Sequence, residues 1–247
     1  MKMVKSFISA NRKYSKMVES KFPGFFKSES YKEELLKRIN QSIEKEGASK
    51  VLEAGGIDRP LLSKGNGYEY NGLDIESRDK CYEIYDNFVV QSIEEPLAEK
   101  YDLIISITLL EHVPDNEASF ASMYSSLSPG GVTHHYVPSK WHPYSIALRI
   151  VGPALQKKLI PILRPGVEDV TGYPAYFDHC SARSMKKVLI KCGFIDVDVK
   201  AYYRANDYFS FFMPLFLMVT AFENICRKLE LDVFASGYVV SATKKEE

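Results

Sequence analysis

Long apolar runs, paired cysteines and net charge are all missing from this chain of 247 residues. The longest apolar run, residues 211–222, is much shorter than the roughly 20 residues that a membrane-spanning helix needs. The four cysteines form no C-x-x-C pair, so neither a zinc site nor a disulfide framework is predicted, and we expect reduced thiols in a cytoplasmic protein. The formal net charge of zero excludes a global electrostatic attraction to nucleic acid.

The first part of the chain departs from this neutral balance. Residues 1–50 contain twelve Lys and Arg against six Asp and Glu, which indicates either a solvent-facing helical surface or a surface that meets an anionic substrate or lipid head group. No uninterrupted apolar core follows the first methionine, so no secretory signal is predicted.

Short apolar runs alternate with helical patterns along most of the chain. This alternation predicts an α/β fold with a doubly wound sheet of about seven mostly parallel strands and helices on both faces. The strands are expected at residues 50–54, 68–75, 87–91, 103–107, 132–137, 194–202 and 238–242. Helices are expected near residues 30–47, 118–127, 146–163, 182–192 and 214–229, with a short helix from Asp58 and one or two short helices within residues 1–29.

Two departures from this alternation suggest the domain organisation. Residues 1–47 are expected to form an N-terminal helical lid, and residues 48–247 the main domain. Within that domain, residues 138–180 are too long for a plain connection and are interpreted as a substrate-covering insertion.

The stretch at residues 50–74 carries the first indication of function. The first strand ends on Glu53, Ala54, Gly55 and Gly56, and the second ends on Asp74. Glycines allow a ligand to approach the backbone, and an acid at the end of the next strand can bind a ribose diol. The pattern therefore predicts a site for a nucleotide-type cofactor.

Five motifs in order extend this prediction. They are VLEAGG at residues 51–56, GLDI at 72–75, YDLIIS at 101–106, LEHVPD at 110–115 and LSPGG at 127–131. Together they resemble the class I S-adenosylmethionine-dependent methyltransferases. The resemblance implies a Rossmann-like fold, S-adenosyl-L-methionine as the cofactor, and methyl transfer as the activity.

The resemblance also implies the residues of a cofactor site at the ends of the first four strands. These are Glu53, Ala54, Gly55, Gly56, Asp74, Ile75, Ser92, Ile93, Ser106 and Ile107. The chain departs from the family at Ile57 and Asp58, where the third glycine and a small residue are usual, and at Ser92, which replaces an acid. Asp58 would repel the methionine carboxylate, and we expect Arg59 to compensate by pairing with that carboxylate.

Histidines are the candidates for a catalytic base, because methyl transfer to a hydroxyl or amine requires removal of a proton. His112 and His135 are the predicted catalytic residues, and His134 and His135 should point to opposite faces of the sheet. Thr108 stands where metal-dependent relatives have the first acid of a Glu-x-x-Glu-His motif, so no metal is predicted.

The acceptor is expected to be a small molecule, a sugar or a lipid-linked glycan. No basic stripe interleaved with stacking residues suggests nucleic acid. Trp141, His142 and Tyr144 follow the fifth strand and are the candidate acceptor-binding residues; their segment is similar to segments in bacterial methyltransferases of envelope-glycan assembly.

Three questions are left open by the sequence. Residues 211–222 are either a buried helix or an apolar lid for a hydrophobic substrate, and peripheral membrane association goes with the second reading. The alternatives to methyl transfer are an inactive binding protein that keeps the methyltransferase fold and a nicotinamide-dependent oxidoreductase. An oxidoreductase of this kind would need a G-x-G-x-x-G motif, which does not follow the first strand of this chain. The oligomeric state is not predicted.

Overall fold

A seven-stranded sheet organises the computed structural model, which describes residues 2–163 and 173–246. The strands are β1 (Lys50–Ala54), β2 (Glu69–Asp74), β3 (Asn87–Val90), β4 (Tyr101–Ile107), β5 (Leu127–Pro138), β6 (Ile195–Tyr202) and β7 (Gly237–Thr243). Their order across the sheet is β3-β2-β1-β4-β5-β7-β6. The predicted α/β, Rossmann-like fold is confirmed.

The first five strands pair in parallel, and this pairing positions the candidate site. Ala54 at the end of β1 lies opposite Leu73 of β2 and Ser106 of β4. Asp74 lies opposite Val90 of β3. The carboxyl ends of these strands therefore share one edge of the sheet, where ligands of open α/β sheets bind.

Eight α-helices and three short 3-10 helices accompany the sheet in the described residues. The 3-10 helices are Leu110–His112, Asn206–Phe209 and Asp232–Phe234. The helices are α1 (Lys2–Lys21), α2 (Pro23–Phe26), α3 (Tyr31–Glu44), α4 (Cys81–Ile84), α5 (Asn116–Ser126), α6 (Pro143–Leu163), α7 (Ala182–Lys191) and α8 (Met213–Lys228). α5 begins where the side chain of Asp115 accepts the backbone N–H of Ala118 at 2.9 Å, as expected of an N-cap.

Two expectations for the helices are wrong. Residues 1–29 contain α1, a helix of 20 residues, rather than only short helices. No helix follows β1: residues 55–68 form turns, in which the backbone N–H of Leu61 donates to the side chain of Glu53. That bond takes a backbone donor that would otherwise open a helix, so Asp58 does not act as an N-cap.

The chain divides into two compact units. Unit 1 comprises Met1–Ser30, Ser139–Ala175 and Ala201–Gly237, and unit 2 comprises Tyr31–Pro138, Tyr176–Lys200 and Tyr238–Glu247. The segment expected to form an N-terminal lid, residues 1–47, therefore contributes to both units. Residues 164–172 of the expected insertion lie outside the described residues.

Unit 2 has its core between the sheet and helices such as α3 and α5. Leu35 and Ile39 of α3 and Phe120 and Met123 of α5 are buried with β1 and β4, whose apolar side chains are also inaccessible. Strands that are apolar throughout need cover on both faces, and these helices supply it.

Unit 1 packs α2 against α8. The rings of Phe26 and Phe216 stack with centroids 5.3 Å apart, and the guanidinium of Arg204 donates to the Phe26 carbonyl at 2.9 Å. Within the described ranges, no helix is long and apolar enough to cross a membrane.

Candidate cofactor and active site

Both glycines after β1 are required by their surroundings. Gly55 has φ +80° and would place a Cβ 2.9 Å from Leu109 Cδ1, while its N–H donates to the Leu73 carbonyl at 2.7 Å. A Cβ on Gly56 would clash with the Tyr85 hydroxyl and lie 2.7 Å from Glu53 Cδ. Packing against these side chains therefore requires both glycines. That the turn also receives a ligand stays a prediction.

Glu53 organises this turn from inside the protein. Its carboxyl group is inaccessible, accepts the backbone N–H of Leu61 at 3.0 Å and accepts the hydroxyl of Tyr70. Burial raises the pKa of Glu53 to about 7, against the lowering effect of these two hydrogen bonds. Glu53 therefore orders the turn, and Tyr70 is a partner that the sequence did not reveal.

The divergent part of the turn is held by an ion pair. Ile57 adopts a left-handed conformation with φ +45°, which is unfavourable for a β-branched residue. Asp58 Oδ2 lies 2.8 Å from a guanidinium nitrogen of Arg78, in the loop after β2. Burial tends to raise the pKa of Asp58, but Arg78 outweighs it and keeps that pKa below its usual value.

The sequence does not reveal Arg78. Arg59 is the residue expected to pair with the methionine carboxylate and so to compensate for Asp58. In the structure Arg59 is exposed and its backbone N–H donates to the Gly56 carbonyl at 2.8 Å. The expectation that Arg59 binds the cofactor stays a prediction.

Asp74 stands at the carboxyl end of β2 with a half-buried side chain. Its Oδ1 accepts the backbone N–H of Glu76 at 3.0 Å. Burial raises the pKa of Asp74, and the bond from Glu76 acts in the opposite direction. The next side chain, Ile75, is exposed, so the two predicted residues present a carboxylate and an apolar surface at the same strand end.

The segment after β3 contains the departure at Ser92. The Ser92 hydroxyl donates to Glu94 at 3.0 Å, and Ile93 beside it is buried. The other oxygen of Glu94 accepts the backbone N–H of Asp115 at 3.0 Å. An acid is therefore present two residues beyond the expected position, and it ties this segment to the start of α5.

Ser106 and His135 form a buried pair on neighbouring strands. Ser106 Oγ lies 2.7 Å from His135 Nδ1, and Thr133 Oγ1 lies 2.5 Å from His135 Nε2. Burial lowers the pKa of His135 to about 3. Both ring nitrogens of His135 are thus bonded to hydroxyl groups. Ile107, which follows Ser106 in β4, is half-buried.

His134 lies on the other face of β5, as predicted. Its ring contacts the Ser42 hydroxyl of α3 at 3.0 Å and the Ser241 hydroxyl of β7 at 2.8 Å, whereas the His135 ring lies against Phe120 of α5. Burial lowers the pKa of His134 to about 4.

His112 is the accessible histidine near this edge of the sheet. Its side chain is 37% exposed at the end of the 3-10 helix, and its Nε2 lies 3.8 Å from Glu111 Oε1. Glu111 is buried, and its Oε2 accepts no hydrogen bond among the described residues. Burial raises the pKa of Glu111 to about 7, and the neighbouring His112 opposes this.

No cluster of three or more metal-binding side chains occurs in the described part of the chain. Within residues 2–163 and 173–246, Glu111 and His112 therefore have no third His, Cys, Asp or Glu ligand beside them. Thr108 stands where a Glu-x-x-Glu-His motif has its first acid, so residues 108–112 supply a single carboxyl group.

The three predicted acceptor-binding residues belong to unit 1 and differ in exposure. Trp141 is exposed, with Lys140 Nζ and the Arg149 guanidinium 5.8 and 5.5 Å from its ring centroid. Tyr144 stacks on Tyr208 with centroids 3.7 Å apart. His142 is buried and does not share the exposure of Trp141.

The buried partner of His142 is Glu223, at 3.1 Å from Nε2. His142 Nδ1 accepts the backbone N–H of Tyr144 at 3.2 Å, and Glu223 also accepts the backbone N–H of Ala205 at 2.6 Å. Since Nδ1 accepts, Nε2 carries the proton that it donates to Glu223. Glu223 lies four residues before Arg227, a spacing typical of ion pairs on an exposed helix face. In the structure Glu223 is instead buried beside His142.

A family model described as a methyltransferase domain matches residues 27–197. The match covers more than half of the chain, so the protein belongs to this methyltransferase family. The resemblance seen in the five motifs is thereby confirmed.

Curated relatives share a shorter stretch. Ubiquinone biosynthesis O-methyltransferase of Pseudomonas entomophila is 25% identical over 91 residues, which are 37% of this chain and 35% of the relative. The enzyme of the same name from Pseudomonas putida strain W619 is 27% identical over the same shares of the two chains. The chain thus matches about a third of the length of these relatives.

Solved structures match nearly the whole fold at low identity. A SAM-dependent methyltransferase from Archaeoglobus fulgidus has a TM-score of 0.51 and 17% identity, covering 94% of this chain and 100% of that one. N-methyltransferase NodS from Bradyrhizobium japonicum WM9, in complex with S-adenosyl-L-homocysteine, has a TM-score of 0.52 and 13% identity, covering 87% of both chains. The [4+2]-cyclase SpnF has a TM-score of 0.54 and 13% identity, with 87% and 81% covered. At these identities the likeness shows the fold alone.

Proposed function

We propose that this protein transfers a methyl group from S-adenosyl-L-methionine to a small-molecule acceptor. The observation that carries the proposal is the shared sheet edge at which the Gly55-Gly56 turn, Asp74 and Ser106 lie at the ends of adjacent parallel strands. Family membership adds to it, and solved structures of similar fold hold this cofactor or its demethylated product.

The residues at this edge fit the cofactor chemically. Asp74 offers carboxylate oxygens to a ribose diol, and the Gly55-Gly56 turn offers backbone close to the methionine part. Ile75, Ser92 and Ile93 are our candidates for the adenine. When bound, the cofactor supplies an electrophilic methyl group on a sulfonium.

His112 is our candidate for the base. Its ring is partly exposed and its Nε2 faces the buried Glu111. When the imidazole takes a proton from an acceptor hydroxyl or amine, the nearby Glu111 carboxyl group would stabilise the imidazolium that forms. His135 has both nitrogens bonded to hydroxyls, and we assign it to holding Ser106 rather than to proton transfer.

The names of the curated relatives support a proposal for the acceptor. The relatives are named O-methyltransferases, which favours a hydroxyl acceptor on a small molecule, a sugar or a lipid-linked glycan. Trp141 and Tyr144 are our candidates for contacting it, since the Trp141 ring is exposed between two cations. His142 is assigned to supporting this segment through Glu223. We also propose a cytoplasmic protein with peripheral membrane contact.

The first experiment compares His112→Asn with His179→Asn, a second partly exposed histidine that bonds to Ser184 at 2.6 Å. Methyl transfer is followed with labelled S-adenosylmethionine in a cell extract, and cofactor affinity by calorimetry. We expect His112→Asn to lower the rate by about a hundredfold, the usual contribution of a general base, with cofactor affinity and the His179→Asn rate unchanged.

Three results would contradict the proposal. Equal rates for the two variants would remove His112 from catalysis. Cofactor binding without any labelled product would favour the inactive binding protein. Binding of a nicotinamide cofactor in place of S-adenosylmethionine would favour the oxidoreductase.

A further inference from the structure

Helix α6 exposes apolar side chains that a helix of this composition normally buries. Of its 21 residues, only Ser145 and Gln156 are buried. Ile150 is 80% exposed, and Ile146, Leu155, Leu159 and Ile162 are exposed as well. A helix rich in Ile and Leu is expected to pack in a core or against a partner.

The exposed side chains of α6 follow helical spacing. Gly152, with φ 72° and ψ 159°, interrupts the helix. Ile146 and Ile150 lie four apart before the break, and Leu155, Leu159 and Ile162 lie four and three apart after it. Residues at these spacings share one face of a helix, so each half of α6 presents an apolar stripe to solvent.

The charges of α6 all have one sign. Arg149, Lys157 and Lys158 are its ionisable residues apart from Tyr144, and it contains no acid. Lys140 and the exposed Trp141 immediately precede it. Helices that lie in the surface of an anionic membrane typically combine an apolar stripe with neighbouring cations. They often carry an aromatic residue such as Trp, whose ring is apolar apart from its N–H group.

Helix α1 of the same unit repeats this arrangement. Met3, Phe7, Tyr14 and Met17 are exposed at spacings of four, seven and three, which places them on one stripe, while Ile8 and Ser15 are buried. The guanidinium of Arg12 donates to the carbonyl of Leu163, so α1 contacts the end of α6.

The charge of α1 is also positive. Its sequence contains six Lys and Arg and one acid, Glu19. A second copy of the chain would bring these cations against one another, whereas the head groups of anionic lipids complement them.

We propose that the exposed stripes of α1 and α6 bind the surface of a membrane that contains anionic lipids. The stripe of α1 adjoins residues 211–222, because the rings of Phe7 and Phe212 stack with centroids 6.5 Å apart. α8 itself buries Phe216 and Val219. The inference rests on the proposed function only in that it gives the enzyme access to a lipid-linked acceptor; binding to lipid requires no methyl transfer.

The test is flotation of the full chain with two kinds of vesicle, phosphatidylcholine alone and an equal mixture of phosphatidylcholine and phosphatidylglycerol. Ile150→Ser removes the most exposed apolar side chain of α6. Ile190→Ser, on α7 of unit 2, removes an equally apolar side chain that is 55% exposed. Lys157→Gln with Lys158→Gln tests the charge, and Lys45→Gln with Lys64→Gln is its control.

We expect binding to the mixed vesicles to fall about tenfold in Ile150→Ser, as loss of one inserted isoleucine implies. The Lys157 and Lys158 variant should also bind less and lose its salt dependence, while both controls bind as the parent does. Equal binding to the two kinds of vesicle, no binding to either, or an equal loss in Ile190→Ser would overturn the proposal. So would a dimer, seen by light scattering, that Ile150→Ser dissociates.

Calorimetry with S-adenosylmethionine on the same proteins separates this inference from the proposed function. Ile150→Ser should keep the parent's cofactor affinity. A chain that binds anionic vesicles and no cofactor would support the α1/α6 surface and contradict methyl transfer, and a chain that binds cofactor and no vesicles would do the reverse.

Discussion

Helices α3 of unit 2 and α6 of unit 1 use their apolar residues in opposite ways. α3 buries Leu35 and Ile39 completely, and its charged side chains are exposed or half-buried. α6 buries a serine and a glutamine and exposes its isoleucines and leucines. The apolar side chains of α3 are covered by its own unit. Those of α6 are exposed to water, which is unfavourable, and a membrane or another partner that covered them would remove this free-energy cost.

The two units also differ in how they accommodate buried ionisable side chains. In unit 2, burial shifts the pKa values of Glu53, Glu111 and His135 toward neutral side chains. In unit 1, Glu223 is buried against His142 and a backbone N–H. Unit 2 therefore buries acids by neutralising them, and unit 1 buries one by pairing it.

The largest effect should come from breaking that pair. Glu223→Ala leaves two buried donors, His142 Nε2–H and the Ala205 N–H, without an acceptor. Each unsatisfied donor costs about 2 kcal/mol, so the free energy of unfolding should fall by about 4 kcal/mol. Glu223→Gln keeps one oxygen acceptor and should lose about 1 kcal/mol. Urea denaturation of both variants measures the difference, and equal losses would show that the pair does not hold unit 1 together.

The second-largest effect is the pH dependence that the buried Glu53 of unit 2 gives to the free energy of unfolding. The pKa of Glu53 is about 7 in the folded chain against 4.5 ordinarily. The folded state therefore binds a proton that the unfolded state has released, and stability falls as the pH rises from 4.5 through 7. The total loss from this group is about 3 kcal/mol.

Glu53→Gln cannot release a proton, so it should remove this part of the pH dependence. Its free energy of unfolding, measured by urea denaturation at several pH values, should gain on the parent as the pH rises and level off above pH 7. Glu46→Gln, at an exposed acid after α3, is the control. Parallel curves for Glu53→Gln and the parent would mean that Glu53 is ionised in the fold.

The strands of the sheet, and the edge that their carboxyl ends share, were predictable from the sequence. The seven strands were predictable because β1 and β4 are short apolar runs covered on both faces and bounded by glycines or acids. The ends of those strands lie together whatever their side chains do, since parallel pairing alone aligns them. This is why the Gly55-Gly56 turn and Asp74 could be anticipated as parts of one edge.

Partners that are far apart in the chain were not predictable. Glu223 is 81 residues from His142, and its spacing from Arg227 fits an exposed helix equally well. The bond between His135 of β5 and Ser106 of β4 depends on strand register. The missing helix after β1 depends on a backbone bond to Glu53, and periodicity records none of these contacts.

The smallest effect concerns the turn where the chain departs from its family. Arg78 already binds Asp58 at 2.8 Å, so Arg78→Ala should free a negative charge near the turn and weaken S-adenosylmethionine binding. Arg59→Ala should also weaken it if Arg59 meets the cofactor carboxylate. Both side chains are partly or fully exposed, so each change should be about threefold, the range of surface ion pairs.

Calorimetry of Arg59→Ala, Arg78→Ala and the control Lys64→Ala, an exposed cation of the same connection, separates the two arginines. A loss in Arg78→Ala alone would assign the compensation of Asp58 to the ion pair seen in the structure and remove Arg59 from the cofactor site. No loss in either variant would mean that the Asp58 turn does not meet the carboxylate. The cofactor would then depend on Asp74 and the glycine turn, which belong to the part of unit 2 that the sequence describes best.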